Sequence, residues 1–164
     1  MNNEANILAA LMDQSHKAVL GTLEHLDGHD PRRRFSVDGK ELNSAFWIMA
    51  HLTGSQNWLV LRGSGGPFRK YSWAKFFGMG STGLIPEDSP TLDEVLAMYE
   101  AVHADSMAHV HTLSDEQLAL PHQAMMDLAA GSDVRTVIMH HILHESGHCG
   151  QLQQLCKLYG KPLR

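Results

Sequence analysis

Cysteine is almost missing from this chain of 164 residues; there are two, Cys149 and Cys156. They stand seven positions apart on one helical stretch, hence roughly 10 Å from each other at about 1.5 Å of rise per residue, too far for a disulfide. Reduced thiols and a cytoplasmic setting are expected. Long apolar runs are missing too. None approaches the roughly 20 residues that span a bilayer, and Met1-Asn2-Asn3-Glu4 lacks the basic and apolar regions of a secretory signal. Positive charge is scarce, with 13 Lys and Arg against 18 Asp and Glu and a formal charge of −5. A phosphate-binding footprint needs clustered basic side chains, so nucleic acid is not an expected partner. The one basic run, Arg32-Arg33-Arg34, follows Pro31 in a connecting loop and reads as a solvated surface. Sustained alternation of apolar and polar residues is absent as well, as are internal repeats and low-complexity tracts. No β-sheet is expected.

What the chain does have is histidine. Twelve are present, nearly as many as all Lys and Arg together. Histidine is the commonest metal ligand, so position must decide which of them matter. The length suits one domain, residues 1–164, with a hydrophobic content of 43% that allows a sizeable core.

Four segments carry a helical period. The first runs from about Glu4 to Leu26, with Leu8, Leu11, Met12, Ser15, Val19 and Leu23 on its inner face, and is stopped by Gly28 and Pro31. His16, His25 and His29 fall off that face and read as exposed. The second, Leu42 to Arg62, is apolar on two sides and must pack on two sides. The third opens on Thr91-Leu92-Asp93-Glu94, a capping box, and runs to about Leu113. A short helical piece is expected at Met125–Ala129. The last helix starts near Asp133 and ends at Gly160, with Pro162 beyond. Residues 63–90 form a long connection with Tyr71, Trp73, Phe76 and Phe77 in its middle. A loop of that length is more often functional than idle, and its aromatics suggest a short helical turn over the end of the bundle. The architecture is all-α.

The chemistry concentrates in His140-His141-Ile142-Leu143-His144-Glu145-Ser146-Gly147-His148. His144 and His148, four apart, point within roughly 40° of each other. They share a stripe with Val137, Gln151, Leu155 and Leu158, read as the buried face. Two imidazoles at that spacing can hold one metal ion, and burial without a partner would be costly. A third ligand should come from another helix, and His51, flanked by Trp47 and small residues, is the best placed. A lone core histidine is more often a packing residue, but the pair on a facing helix reverses that balance. His140, one turn before His144, is a further ligand or a hydrogen-bond partner behind the ligands. Trp47 and Trp58 are candidates to line a pocket beside the metal. Three neutral ligands leave a divalent ion open positions to activate a thiol or a water toward a small-molecule substrate. The same residues spell the zinc-protease pattern H-E-x-x-H, which would make Glu145 a base or an orienter of metal-bound water. No His, Asp or Glu follows His148, so the third ligand of a peptidase is missing. A second apolar line on the last helix, Ile138, Ile142, Cys149 and Cys156, suits either packing within the chain or a symmetric partner.

The segments Ala45-Phe46-Trp47-Ile48-Met49-Ala50-His51-Leu52 and His144-Glu145-Ser146-Gly147-His148-Cys149-Gly150-Gln151-Leu152 resemble the DinB/YfiT-like superfamily of metal-binding four-helix bundles. Phe76-Phe77-Gly78-Met79-Gly80-Ser81 resembles its loop sequence. The resemblance implies an up-down-down-up four-helix bundle, frequently a homodimer, holding Zn or Ni through His51, His144 and His148. Relatives commonly carry a basic residue at the position of Cys149. Family activities include S-transfer with low-molecular-weight thiols, thiol-dependent isomerisation and metal-dependent hydrolysis. Opposed to the enzyme stands a non-enzymatic bundle with a structural or stress-response metal. A fourth protein ligand would favour that rival.

Overall fold

In a computed structural model, which describes residues 4–161, each long helix after the first opens on a polar side chain that takes up free backbone donors. Ser44 accepts from the Trp47 amide, Asp133 from that of Thr136, and Thr91 and Glu94 close the expected capping box. The elements are α1 (Glu4–Glu24), a hairpin of β1 (Ser36–Val37) and β2 (Lys40–Glu41), α2 (Ala45–Gln56), α3 (Leu92–Val110), α4 (Asp115–Leu118) and α5 (Val134–Leu158). α2 continues without a break as a π-helical segment, Asn57–Arg62, and a 3-10 turn occupies Ala74–Phe77. That turn is the one expected from the aromatics of the long connection.

Side-chain pairs fix the directions of the four long helices. Glu4 meets Arg135, Ser15 meets Glu145 and Thr22 meets Cys149, so α1 and α5 run parallel. Asn6 meets His111 while His16 meets Glu100, so α1 and α3 are antiparallel. The apolar residues of α2 from Ala45 to Leu52 share a core cluster with Val95 and Tyr99, Gln56 meets His103, and Val60 shares a second cluster with Val110, so α2 and α3 run parallel. The result is an up-down-down-up bundle. α2 is buried almost all round, with Ala45 to Ala50 each 5% exposed or less, as its two apolar sides require.

Four expectations are corrected by the structure. Of the stripe expected to be buried on α5, Val137 and Leu155 are buried but Gln151 and Leu158 are exposed; the buried face is centred on Ile138, His141, Glu145, Cys149, Leu152 and Cys156. The second apolar line is therefore the core face, consumed against α1 within the chain, and no longer argues for a partner. His16 is not exposed but 3% accessible, stacked between the rings of Tyr99 and His103 at 4.4 and 3.7 Å. The short helix lies at Asp115–Leu118, where Ser114 and Gln117 form a second capping box, and not at 125–129. The hairpin was missed because each strand has only two residues. Its turn, Asp38-Gly39, has φ of 50° and 74°. Asp-Gly is the pair that a type I′ turn selects. Gly160 caps α5 at a positive φ of 75°. Such a glycine end was expected, and Pro162 lies outside the described residues. The arginine run is pinned to aromatic rings as well as solvated: Arg32 lies 4.5 Å over Phe46 and Arg33 4.5 Å over Phe35.

Candidate metal centre and its cavity

His51 sits in the middle of α2, and His144 and His148 follow each other by one turn on α5, at the edge of that helix's buried face. Their Nε2 atoms converge: 3.0 Å from His51 to His144 and 3.2 Å from His144 to His148. Among the described residues this is the one group of three such side chains whose ligand atoms lie within 4.8 Å of one another. Four ligands set tetrahedrally at about 2.05 Å from a zinc ion stand roughly 3.3 Å apart, close to the separations seen.

The donor chemistry fits a cation better than it fits hydrogen bonding. His51 Nδ1 lies 2.6 Å from the carbonyl of Phe77, and His148 Nδ1 lies 2.9 Å from Oε1 of Gln151. An oxygen acceptor demands a proton on each of those nitrogens, so the Nε2 of a neutral His51 and of a neutral His148 is a bare lone pair. Both lone pairs aim at His144 Nε2. One N–H on His144 could satisfy one of them, never both, and the one other donor near is the Ser55 hydroxyl, at the long distance of 3.4 Å from His51 Nε2, whereas a cation satisfies all three. Burial keeps the rings neutral. It lowers His51 to about 4 and His144 to about 3, with neighbouring histidines adding to the effect, and it lowers His148 as well. These imidazoles are already deprotonated at neutral pH, as binding to a metal requires.

Trp47 is not among the side chains that line the cavity beside these histidines. It is 5% exposed and stacks flat against His51, ring centroids 4.8 Å apart at 13°, while its Nε1 donates to Ser81 at 3.2 Å. Together with the Phe77 carbonyl, this ties the α2 ligand to the long connection from two sides. Nothing in the sequence marks Ser81 or a backbone carbonyl for that task. Trp58 does border a cavity, of about 580 Å³, which reaches His51 and His144 at one end and is walled by the long connection and residues 124–126. His140 also faces it, but its ring centroid is 6.1 Å from that of His144 and it stands outside the three-nitrogen group. The π-helical stretch that carries Asn57 and Trp58 shapes this wall. Asn57 binds the backbone of Arg69 twice, Nδ2 to the carbonyl at 2.7 Å and Oδ1 from the amide at 3.0 Å, and Arg69 pairs with Asp105 at 2.5 Å.

Glu145 corrects the expectation of a base beside the metal. Its side chain is fully buried on the other side of α5 from the cavity, held by the hydroxyls of Ser15 and of Tyr99, the latter at 2.5 Å. Burial and the neighbouring carboxyl raise the Tyr99 phenol well above its usual range, so Tyr99 is the donor. His141, also fully buried, is pushed by burial down to about 3, and neither of its ring nitrogens reaches a hydrogen-bond partner among the described residues. No Asp or Glu lines the cavity.

The profile of one family, described as mycothiol-S-transferase, matches residues 7–159. That span covers nearly the whole chain. The chain belongs to the mycothiol S-transferase family. This is a DinB/YfiT-like family of thiol S-transferases, so the resemblance of the two histidine segments holds. A search of the curated proteins finds no match. A metal-dependent thiol transferase fits both the family and the three-histidine group, and a non-enzymatic bundle is not favoured. Among the described residues no helix is long and apolar enough to cross a membrane.

Proposed function

We propose that His51, His144 and His148 hold one divalent ion, Zn or Ni, and that the chain, acting as a single domain, transfers a low-molecular-weight thiol to a small electrophile in the adjoining cavity. The observation that carries this is the meeting of three neutral imidazole lone pairs at the end of a cavity large enough for two small molecules. Imidazole suits both metals. A divalent ion bound there with open positions lowers the pKa of a thiol sulfur toward neutrality and so supplies a nucleophile.

The chain's own residues then have defined tasks. Phe77 and Gln151 hold the Nδ1 protons of His51 and His148, which fixes the tautomer and leaves both Nε2 atoms facing inward. Trp47 covers one face of His51 against water. Asn57 fastens the connection over the cavity so that Arg69 stands on its wall. Transfer of the thiol is favoured over hydrolysis by the family, and the cavity lining offers no carboxylate as a base for water, leaving His140 as its one imidazole outside the three-nitrogen group. The structural-metal rival is disfavoured by the count of ligands, since a closed site takes four and this group has three.

Two buried free cysteines support a reducing, cytoplasmic setting. The homodimer implied by the resemblance would use exposed apolar residues such as Ile7 and Leu11 on α1 and Met139 and Leu143 on α5; light scattering reads its mass directly.

The test is metal analysis of tag-free protein followed by turnover with mycothiol. One equivalent of Zn or Ni is expected, lost with His144→Ala and His148→Ala together with thiol consumption. Wild type that takes up neither metal, or that binds one and consumes no thiol with any acceptor, overturns the reading.

A further inference from the structure

The cavity has two unlike walls. Arg69, Tyr71 and Lys75 stand on the side of the long connection. Beside them lies an apolar and soft cluster of Trp58, Ala124, Met125 and Met126, which Phe68 joins from the connection itself. Trp58 and Phe68 meet edge to face, with ring centroids 5.8 Å apart at 80°, and the guanidinium of Arg62 lies over both at 5.0 and 5.7 Å. The indole of Trp58 donates to the Ala124 carbonyl at 2.6 Å, which ties residues 124–126 to the same wall.

Met125 is the telling residue. It is 78% exposed and holds a positive φ of 52°. That is a left-handed conformation, which Asn, Asp and Gly take far more readily than an unbranched apolar side chain. Neither the solvent nor the backbone favours methionine there. Its thioether instead accepts from the Arg62 guanidinium, Nη2 to Sδ at 3.4 Å, which joins Met125 to the Trp58–Phe68 cluster under the same guanidinium. Thioethers are adaptable and attract aromatic rings, and they border a cavity already faced by Trp58, Phe68, Tyr71 and Phe77 and without a carboxylate.

We propose that this wall is the bed of the acceptor, and that the acceptor class is an apolar aromatic electrophile without positive charge. The inference rests on the thiol-transfer reading above and specifies its second substrate. In the reaction the sulfur lone pair forms the S–C bond at an activated ring carbon. The leaving group departs with the electrons of its own bond to that carbon, and the thiol proton passes to solvent. With a chloroarene the products are the aryl thioether, chloride and a proton.

The experiment compares two acceptors in the metal-loaded protein with mycothiol: 1-chloro-2,4-dinitrobenzene, which is aromatic and apolar, and iodoacetamide, which is small and polar. Wild type is set beside Met125→Asn, whose backbone preference suits the left-handed position, and Phe68→Ser. Loss of one apolar contact in a pocket is worth roughly tenfold or more. The KM for the chloroarene should rise by about that factor in each variant with kcat changed less than about twofold, while the KM for iodoacetamide stays put. Met125→Asn should melt no lower than wild type. Equal KM changes for both acceptors, or none for either, overturn the inference. Binding of unreactive 2,4-dinitroaniline, followed by quenching of tryptophan fluorescence, separates this failure from that of the thiol-transfer reading. Saturable binding weakened by both substitutions sustains the apolar bed even if no thiol is ever transferred. Quenching that does not saturate, or that neither substitution alters, refutes the bed even if transfer occurs.

Discussion

Replacing Tyr99 with Phe removes one oxygen and leaves the ring that packs against His16 in place. In the wild type that oxygen donates to Oε1 of Glu145 at 2.5 Å, and both residues are fully buried. No cavity of consequence forms, so the loss is electrostatic. One of the two hydroxyl donors to a carboxyl group without access to water is gone, and a buried acceptor left unsatisfied costs about 1–3 kcal/mol, more when it is charged. Ser15 still serves the other oxygen. The expected cost is therefore about 2–3 kcal/mol, which for a chain of this length lowers Tm by about 4–12 °C. In urea the midpoint falls while the slope is unchanged, because the same surface is exposed. Ser15→Ala should behave similarly, and the double variant should depart from additivity by more than about 0.5 kcal/mol, since both hydroxyls serve one carboxyl. The consequence extends to the site. Glu145 follows His144 in α5 and ties that helix to α1 and α3, so its donors help set the rotation at which His144 and His148 face His51. Metal affinity, measured by competition with a chelating dye, should drop roughly 10–100-fold, and the absorption bands of the Co(II)-substituted protein should shift. A Tm within about 1 °C of wild type, with metal affinity unchanged, would show that the carboxyl does not depend on the phenol and that the network does not position the ligands.

Four further outcomes are expected. Because His51 and His144 are held at about 4 and about 3 and His148 is lowered too, metal uptake at pH 6 should release fewer than about one proton from the three histidines, whereas unperturbed imidazoles would release roughly two; calorimetry in buffers of differing ionisation enthalpy reads this number, and release near two would refute the lowered values. His103 and His141 are held at about 4 and about 3 by burial. Both lie below an unfolded value near 6.5, so the unfolded chain binds protons that the folded one refuses. Stability is thus complete above about pH 6.5 and falls toward pH 4, by roughly 2.7 kcal/mol per pH unit from these two groups, and a urea midpoint that is flat from pH 7 to 4.5 would contradict it. Ser81→Ala removes the acceptor of the Trp47 indole and should weaken metal binding several-fold, while Thr91→Ala, which breaks the α3 cap, should lower stability by about 1 kcal/mol and leave metal affinity untouched.

The bundle was legible because its helices announce themselves at their ends. Thr91-x-x-Glu94 and Gly160 are local signals, and the structure reproduces both. The convergence of His51 with His144 and His148 was legible in spacing and in the resemblance. What the sequence could not show is contact made across elements. Ser81 and the Phe77 carbonyl reach His51 only because the connection folds back on α2. His16 looked polar, and its place between Tyr99 and His103 depends on which ring faces it from α3. The Glu145 of H-E-x-x-H looked like a base because a motif records spacing and not direction. One helical step, about 100° from His144, separates the cavity from the core, and Glu145 takes the core side.

The misread face of α5 carries a physical point about how this site is built. Had Gln151 and Leu158 joined Val137 and Leu155 in the core, both histidines would have been sealed among them, with no room for a thiol beside an ion they would hold. The chain instead buries Ile138, His141, Glu145, Cys149 and Cys156, and leaves His144 and His148 at the boundary, partly covered. Partial burial is enough to strip their protons, and the remaining exposure is what connects His144 to the cavity. A buried carboxyl network behind the helix then holds that rotation by hydrogen bonds from two neighbouring helices. Apolar contacts alone would tolerate a small turn of α5, whereas a carboxyl with two directed donors does not. The polar interior and the metal centre are thus two faces of one requirement, that α5 present its histidine edge, and not its histidine face, to the place where substrates enter.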